Sequence, residues 1–218
     1  MNKRKNIIKI AIDSPAAAGA GTLAKAISKH YNLFYLDTGK IYRFLGKLKL
    51  DKKKKFNYLL IKKKISKLKI KDLLNKSLLS DKVAISASII AKDKKIRKLV
   101  KNFQKNFAYN PPKKYNGSIL DGRDITSIIM KDAMFKFFIT ADIKTRATRR
   151  FKEYKILNKK ISYQEVLKSI KNRDKSDRNR KFGKLKKTKD STLINTSKLS
   201  KRACFLKIKH IMDRKIKA

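Results

Sequence analysis

Apolar residues in this chain come as short β-branched blocks separated by longer stretches with helical spacing. Ile7 to Ile12 is a compact apolar run stopped by Asp13, which predicts a buried strand. Small residues fill Ser14 to Gly21, and Thr22 to His30 then places Leu23, Ala26 and Ile27 on one helical face. Leu33 to Leu36 reads as a second strand closed by Asp37-Thr38-Gly39, and Lys40 to Leu48 as a helix. Leu50 to Leu79 is lysine-rich, with uneven apolar spacing that predicts no regular element. Val83, Ile90, Ile96, Val100 and Phe103 give Val83 to Phe107 a helical period, which Pro111-Pro112 interrupts.

The alternation resumes beyond the prolines. Ser118 to Leu120 reads as a strand leading into Asp121-Gly122-Arg123-Asp124, and Phe135 to Thr140 as another. Lys144 to Leu157 and Tyr163 to Arg173 read as helices, Leu193 to Asn195 as a last strand, and Lys201 to Ile216 as a closing helix. Strands separated by helices predict an α/β fold, a parallel sheet covered on both faces. Ligands of such sheets bind outside the carboxyl ends of the strands. The motifs below fall at or near such ends.

Lys and Arg total 61 against 16 Asp and Glu, a formal net charge of +45 over 218 residues. Charge of that density suits a disordered chain, but 41% hydrophobic content with 11 Phe and 8 Tyr argues for a packed core. Only 7 Gly and 3 Pro argue against a linker protein. The lysines recur throughout, as at Lys52 to Lys55, Lys62 to Lys64 and Lys186-Lys187. Two readings stay open: drift in an AT-rich genome, and attraction to nucleic acid or another polyanion. One cysteine, Cys204, excludes an internal disulfide framework, and 2 His argue against a histidine-rich metal site. No apolar run approaches the roughly 18 residues a membrane span needs. The apolar run after the basic Met1 to Lys5 stops at Asp13, so no secretory signal is read. The expectation is a cytoplasmic monomer without a membrane anchor.

The loop Ser14-Pro15-Ala16-Ala17-Ala18-Gly19-Ala20-Gly21-Thr22 joins a strand to a helix start. Small side chains there let backbone N–H groups surround an oxyanion at a helix N-terminus. The usual pattern is G-x-x-x-x-G-K-[ST]. Here Ser14 stands at the first glycine position, Gly19 at the second and Ala20 at the lysine; Gly21 and Thr22 follow, as in the G-K-G-T version, so the strict pattern is not met. An ordinary strand-to-helix turn and a phosphate-binding loop both remain open on this segment alone.

Further motifs occur in order: Ile10-Ala11-Ile12-Asp13-Ser14-Pro15-Ala16, Leu36-Asp37-Thr38-Gly39-Lys40-Ile41-Tyr42-Arg43, Asp121-Gly122-Arg123-Asp124 and Asp132-Ala133. Lys136 to Ala141, Arg146-Ala147-Thr148-Arg149-Arg150 and the run from Arg173 to Arg180 complete the set. This order resembles the bacterial cytidylate kinases, from about Ile7 to the C-terminus and least between Leu50 and Leu79. The resemblance implies transfer of the γ-phosphoryl group of ATP to CMP or dCMP with Mg²⁺. It implies a P-loop-type core at 1–49, 115–160 and 190–218, a monophosphate lobe at about 50–114, and a lid at about 161–189. Carried over by motif, Ser14 to Thr22 would hold the ATP phosphates, with Arg146 and Arg150 near adenine and phosphate, and the Thr22 hydroxyl would meet Mg²⁺. Asp37, Tyr42, Arg43, Ser88, Arg97, Arg123, Asp124, Arg173, Asp177 and Arg180 would line the CMP side, with Arg123, Arg173 and Arg180 near the transferring group.

Independently of that resemblance, arginines cluster at 146, 149, 150, 173, 178 and 180 in a chain that spends lysine freely and arginine sparingly. A planar guanidinium binds phosphate oxygens in pairs, as joining two polyanions requires. Asp124 and Asp177 suit either ion pairs or contacts to a pyrimidine nucleoside. The chain departs from the family at Ala20, in the short lysine-rich stretch 50–79, at Asn195, and at Lys184 to Lys189. Lys40, where the family more often has Ala, is the expected replacement for the missing loop cation; Lys25 is a weaker one. The competing readings are a nucleotide-binding module of weak activity that contacts RNA, and a kinase for UMP or AMP.

Overall fold

The computed structural model describes residues 7–52, 55–157 and 160–217. The basic residues Met1 to Lys5, and Lys53 and Lys54 of the first lysine run, lie outside these. The strands are β1 (Ile8–Asp13), β2 (Leu33–Asp37), β3 (Gly117–Gly122), β4 (Phe135–Thr140) and β5 (Thr192–Asn195). They form a five-stranded sheet in the order β2-β3-β1-β4-β5, every neighbouring pair parallel. The helices are α1 (Ala20–His30), α2 (Gly39–Asp51), α3 (Tyr58–Ser66), α4 (Asp81–Ile90), α5 (Lys94–Tyr109), α6 (Ile143–Ile156), α7 (Tyr163–Asn179) and α8 (Lys201–Lys217).

The pleat sends successive strand side chains to opposite faces. On β1, Ala11 joins Leu36, Leu120, Ile41 and Leu45 in the core beneath α2. Ile10 and Ile12 join Leu23, Ile27, Ile208 and Met212 on the side of α1 and α8. Burial of each large aliphatic side chain contributes about 1.5–3 kcal/mol, so both faces hold the sheet. Because all the strands run the same way, Asp13, Asp37, Gly122, Thr140 and Asn195 end on one edge.

Three segments differ from the sequence expectation. The stretch 50–79 is not irregular: it forms α3 and two short 3-10 turns, Ile70–Leu74 and Lys76–Leu79. Asn57 caps α3, accepting from Leu60 N at 2.9 Å, and Ile61 and Ile65 bury one helical turn apart. The helical stretch Val83 to Phe107 is two helices. Ser80 caps α4 through Val83 N (3.3 Å) and Asp93 caps α5 through Ile96 N (2.9 Å). The period runs across the break because Ile90, Ile96, Val100 and Phe107 all enter one cluster. Helix α7 begins with a Ser162–Glu165 capping box and runs past Arg173 to Asn179.

Cys204 is a buried free thiol. Among the described residues, no helix is long and apolar enough to cross a membrane.

Candidate active site

The loop after β1 is shaped by partners remote in sequence. Ser14 N donates to Gly122 O at 3.2 Å, tying the loop to the end of β3. Ala17 then adopts φ 60° and Gly19 φ 89° before α1 begins. The left-handed conformation costs a non-glycine residue such as Ala17 about 1–2 kcal/mol. It persists because the flanking carbonyls are fastened: Arg146 Nη1 donates to Ala16 O at 3.1 Å and Thr196 Oγ1 to Ala18 O at 3.0 Å. Thr196 is gripped by Arg149, whose Nη1 reaches its hydroxyl (2.9 Å) and Nη2 its carbonyl (2.7 Å). A loop with alternating hand and anchored carbonyls turns its amides toward an anion.

Arg146 was expected beside ATP. Its side chain is 5% exposed and every nitrogen has a protein acceptor. Nε donates to Ala141 O at 2.9 Å, and Nη1 and Nη2 grip Asp174 of α7 at 3.1 and 2.6 Å. Arg146 therefore joins the loop to α7.

An acidic patch stands beside the loop. Asp121 and Asp37 are register partners on β3 and β2. Tyr35 Oη donates to Asp121 Oδ1 at 3.1 Å, and a Cβ placed on Gly21 would be 3.5 Å from both Asp121 Oδ2 and Tyr35 Oη. Burial, and then the charge of Asp37, hold the Asp121 carboxyl well above the usual carboxylate range. Burial and the same two carboxylates raise the Tyr35 phenol. Thr22 lies exposed in the first turn of α1. These oxygens have the chemistry for a divalent cation shared with nucleotide phosphates. Among the described residues, no group of three or more His, Cys, Asp or Glu gathers to hold a metal without them.

Asp13 has a different task. It is fully buried and accepts from Ile125 N (2.8 Å), Thr126 N (2.9 Å) and Thr126 Oγ1 (2.6 Å). It thereby clamps a π-helical turn, Ile125–Ile129, behind Asp124. Burial outweighs these bonds and pushes the Asp13 pKa up to about 6.

Opposite the acids, guanidinium groups from four elements face one another. Arg123 Nε donates to Asp177 Oδ2 at 2.7 Å, Arg180 Nη1 lies 3.2 Å from Asp177 Oδ1, and Arg173 Nε is 4.0 Å from Asp177 Oδ2. Burial lowers the pKa of Arg173 to about 10, and repulsion from Arg123, Arg43 and Arg150 adds to the shift. Its side chain is still 39% exposed, so the group stands at an open crevice. Arg43 Nη1 donates to Leu78 O at 2.8 Å, while Arg150 lies over the Tyr154 ring at 4.5 Å and meets Glu153 at 2.9 Å. Arg97 pairs with Asp124 and lies over the Tyr42 ring at 5.5 Å. Burial pushes the Tyr42 phenol up to about 12.

Two expected residues stand apart from this network. Ser88 Oγ donates to Ile85 O of its own helix at 2.8 Å. Lys40 is half-buried in the first turn of α2, with no ion pair among the described residues. Sequence reasoning missed Asp13, Asp121 and Thr196. The two aspartates lie inside quoted motifs; nothing local to Thr196 signals its bond to the loop.

The cytidylate kinase family model matches residues 10–214. The cytidylate kinase of Bartonella tribocorum is 40% identical over 203 residues, covering 90% of each chain. That of Bartonella henselae is 40% identical over 216 residues, covering 96% of each. That of Clostridium botulinum strain Langeland is 37% identical over 218 residues, covering 95% of this chain and 98% of its own. A crystal structure of an uncharacterized protein from Eubacterium ventriosum shares the fold, with a TM-score of 0.57 at 18% identity, covering 94% of this chain and 98% of that one.

Proposed function

The chain belongs to the cytidylate kinase family, and from that premise we propose that it transfers the γ-phosphoryl group of ATP to CMP or dCMP. The observation that carries this reading is the convergence of Arg43, Arg123 and Arg150 on Arg173, with Asp177 as the carboxylate beside Arg173. Cations held where they raise one another's free energy form a site completed by a polyanion.

The helices between α2 and β3 serve in this reading as the monophosphate lobe, and α7 with the segment to residue 189 as the lid. The loop from Ser14 to Thr22 receives the β- and γ-phosphates of ATP. Arg97 and Asp124 address the cytosine end of CMP, and Asp177 its sugar. A phosphate oxygen of CMP attacks the γ-phosphorus, and the bond from that phosphorus to the β-phosphate oxygen breaks, giving CDP and ADP. No protein nucleophile is needed. The chain holds the reacting groups in line, and Arg123, Arg173 and Arg180 offset charge on the moving group. Mg²⁺ bound with ATP would supply further charge neutralisation, with Thr22, Asp121 and Asp37 positioned to hold it. Closure over the crevice keeps water from the γ-phosphorus. In this reading the protein acts as a monomer in the cytoplasm.

Ala20 leaves the loop without an ammonium group, and we assign that charge to Lys40. Thr38 N and Oγ1 both donate to Asp121 O, at 3.1 and 2.8 Å. The first turn of α2 is thereby fastened beside Asp121, whose carboxyl faces Gly21. Lys40 follows two residues later, with no ion pair among the described residues.

The reading is tested by a coupled assay of ADP formation with ATP, Mg²⁺ and each monophosphate. CMP and dCMP are expected to give the highest kcat/KM, above UMP and AMP. Absence of transfer to either cytidine nucleotide overturns it.

A further inference from the structure

The loop tip beyond α7 lies on the Arg97–Asp124 pair, and its fit depends on one missing side chain. Gly183 is buried although it sits between the exposed Lys181 and Lys184. Its φ is 63°, in the left-handed region. A Cβ there would stand 2.5 Å from Arg97 Cζ and 2.6 Å from Asp124 Oδ2, closer than carbon approaches either group. The Gly183 carbonyl accepts from Arg180 Nε at 2.6 Å, and Leu185 N donates to Asp177 O at 2.8 Å. Leu185 is itself buried. The tip is thus seated at three points: on the guanidinium–carboxylate pair, through Arg180, and through Leu185.

We propose that Gly183 is a positioning residue of the monophosphate site: without a side chain, the tip closes onto Arg97 and Asp124 while its carbonyl aims Arg180 at the crevice. The proposal rests on the assignment of CMP to that side. A methyl group at 183 lifts the tip, so Arg180 loses its acceptor and the base-recognising pair loses its cover. The loss falls on CMP, because the ATP loop is held separately by Arg146 and Thr196.

Two substitutions separate crowding from backbone strain. Gly183→Ala adds a Cβ and disfavours positive φ, whereas Gly183→Asn adds a Cβ but tolerates that conformation. Both are expected to raise KM for CMP by about tenfold or more, the scale of a small misplacement near the reacting groups. KM for ATP should stay near wild type in both, and KM for both nucleotides should stay near wild type in Lys184→Ala. Wild-type KM for CMP in Gly183→Asn overturns the proposal. Hydrogen exchange of the Leu185 amide without nucleotide gives a second readout, independent of which monophosphate is the substrate. Faster exchange in Gly183→Asn supports the seat, and unchanged exchange overturns it. Failure of the wild-type protein to phosphorylate CMP, with the exchange difference intact, overturns the CMP assignment and leaves the seat established.

Discussion

Arg123 Nε lies 2.7 Å from Asp177 Oδ2, a bond from the carboxyl edge of the sheet to the last turn of α7. Burial opposes charge on Asp177, but Arg123, Arg173 and Arg180 outweigh it and keep the carboxyl below its usual range. A depressed carboxylate pKa adds stability that is present above the unfolded value, 3.8, and lost as pH falls through the folded one.

Asp177→Ala leaves three arginines facing each other without a counter-charge. Bonds to charged groups contribute about 1.5–3 kcal/mol, so KM for CMP should rise about 10- to 100-fold. KM for ATP should change less. Initial-rate kinetics with each nucleotide varied in turn check this, and an unchanged KM for CMP removes Asp177 from the monophosphate side.

The Lys40 assignment predicts an exchange of roles with position 20. Lys40→Met should lower kcat by about 10²- to 10³-fold, the scale of losing one donor to a developing charge. Adding Ala20→Lys to that variant should restore most of the loss. Single-turnover measurements isolate the chemical step. An unchanged turnover number in Lys40→Met ends the idea.

Breaking Arg146 from Asp174 should affect stability and ATP together. Their side chains are 5% and 13% exposed, so Asp174→Ala strands a buried guanidinium at a cost of about 3–5 kcal/mol. Arg146 also holds the Ala16 carbonyl, so KM for ATP should rise more than KM for CMP. Urea denaturation and steady-state kinetics provide the two readings. Removing both partners should destabilise by less than the sum of the single changes.

Asp13 predicts a pH signature. Its folded pKa of about 6 is above the unfolded 3.8. The stabilisation it adds is therefore complete below 3.8 and lost as pH rises through about 6. The amount lost is on the order of 3 kcal/mol. Asp13→Asn cannot titrate, and it sets an amide N–H₂ against donors from Ile125 and Thr126. Each buried donor left unpaired costs about 1–3 kcal/mol. The stability gap between wild type and variant should thus change between pH 4.5 and pH 7, and urea midpoints at the two values measure it. A gap independent of pH contradicts the raised pKa.

Local order was legible where the chemistry is local. The β-branched run before Asp13, the small residues from Ser14 to Gly21 and the alternation of strands with helices depend on side-chain period and sterics within a few residues. Those rules predicted the parallel sheet and placed its motifs at one edge. They did not divide Val83 to Phe107, because both halves bury into one cluster and the break is a cap at Asp93. They did not find α3, whose short apolar face is diluted by lysine.

What the residues determined by themselves was therefore the order of elements and the types of groups available for phosphate chemistry. Which groups meet was decided by strand order. Placing β3 between β2 and β1 brings Asp121 beside Asp37, and Asp13 beneath Thr126. Placing β4 on the other side of β1 brings α6 under the loop, where Arg146 and Arg149 act on the backbone from inside the protein. Charge and burial act through space, so the work of an arginine is set by its neighbours in the fold, and those neighbours lie far away in the chain.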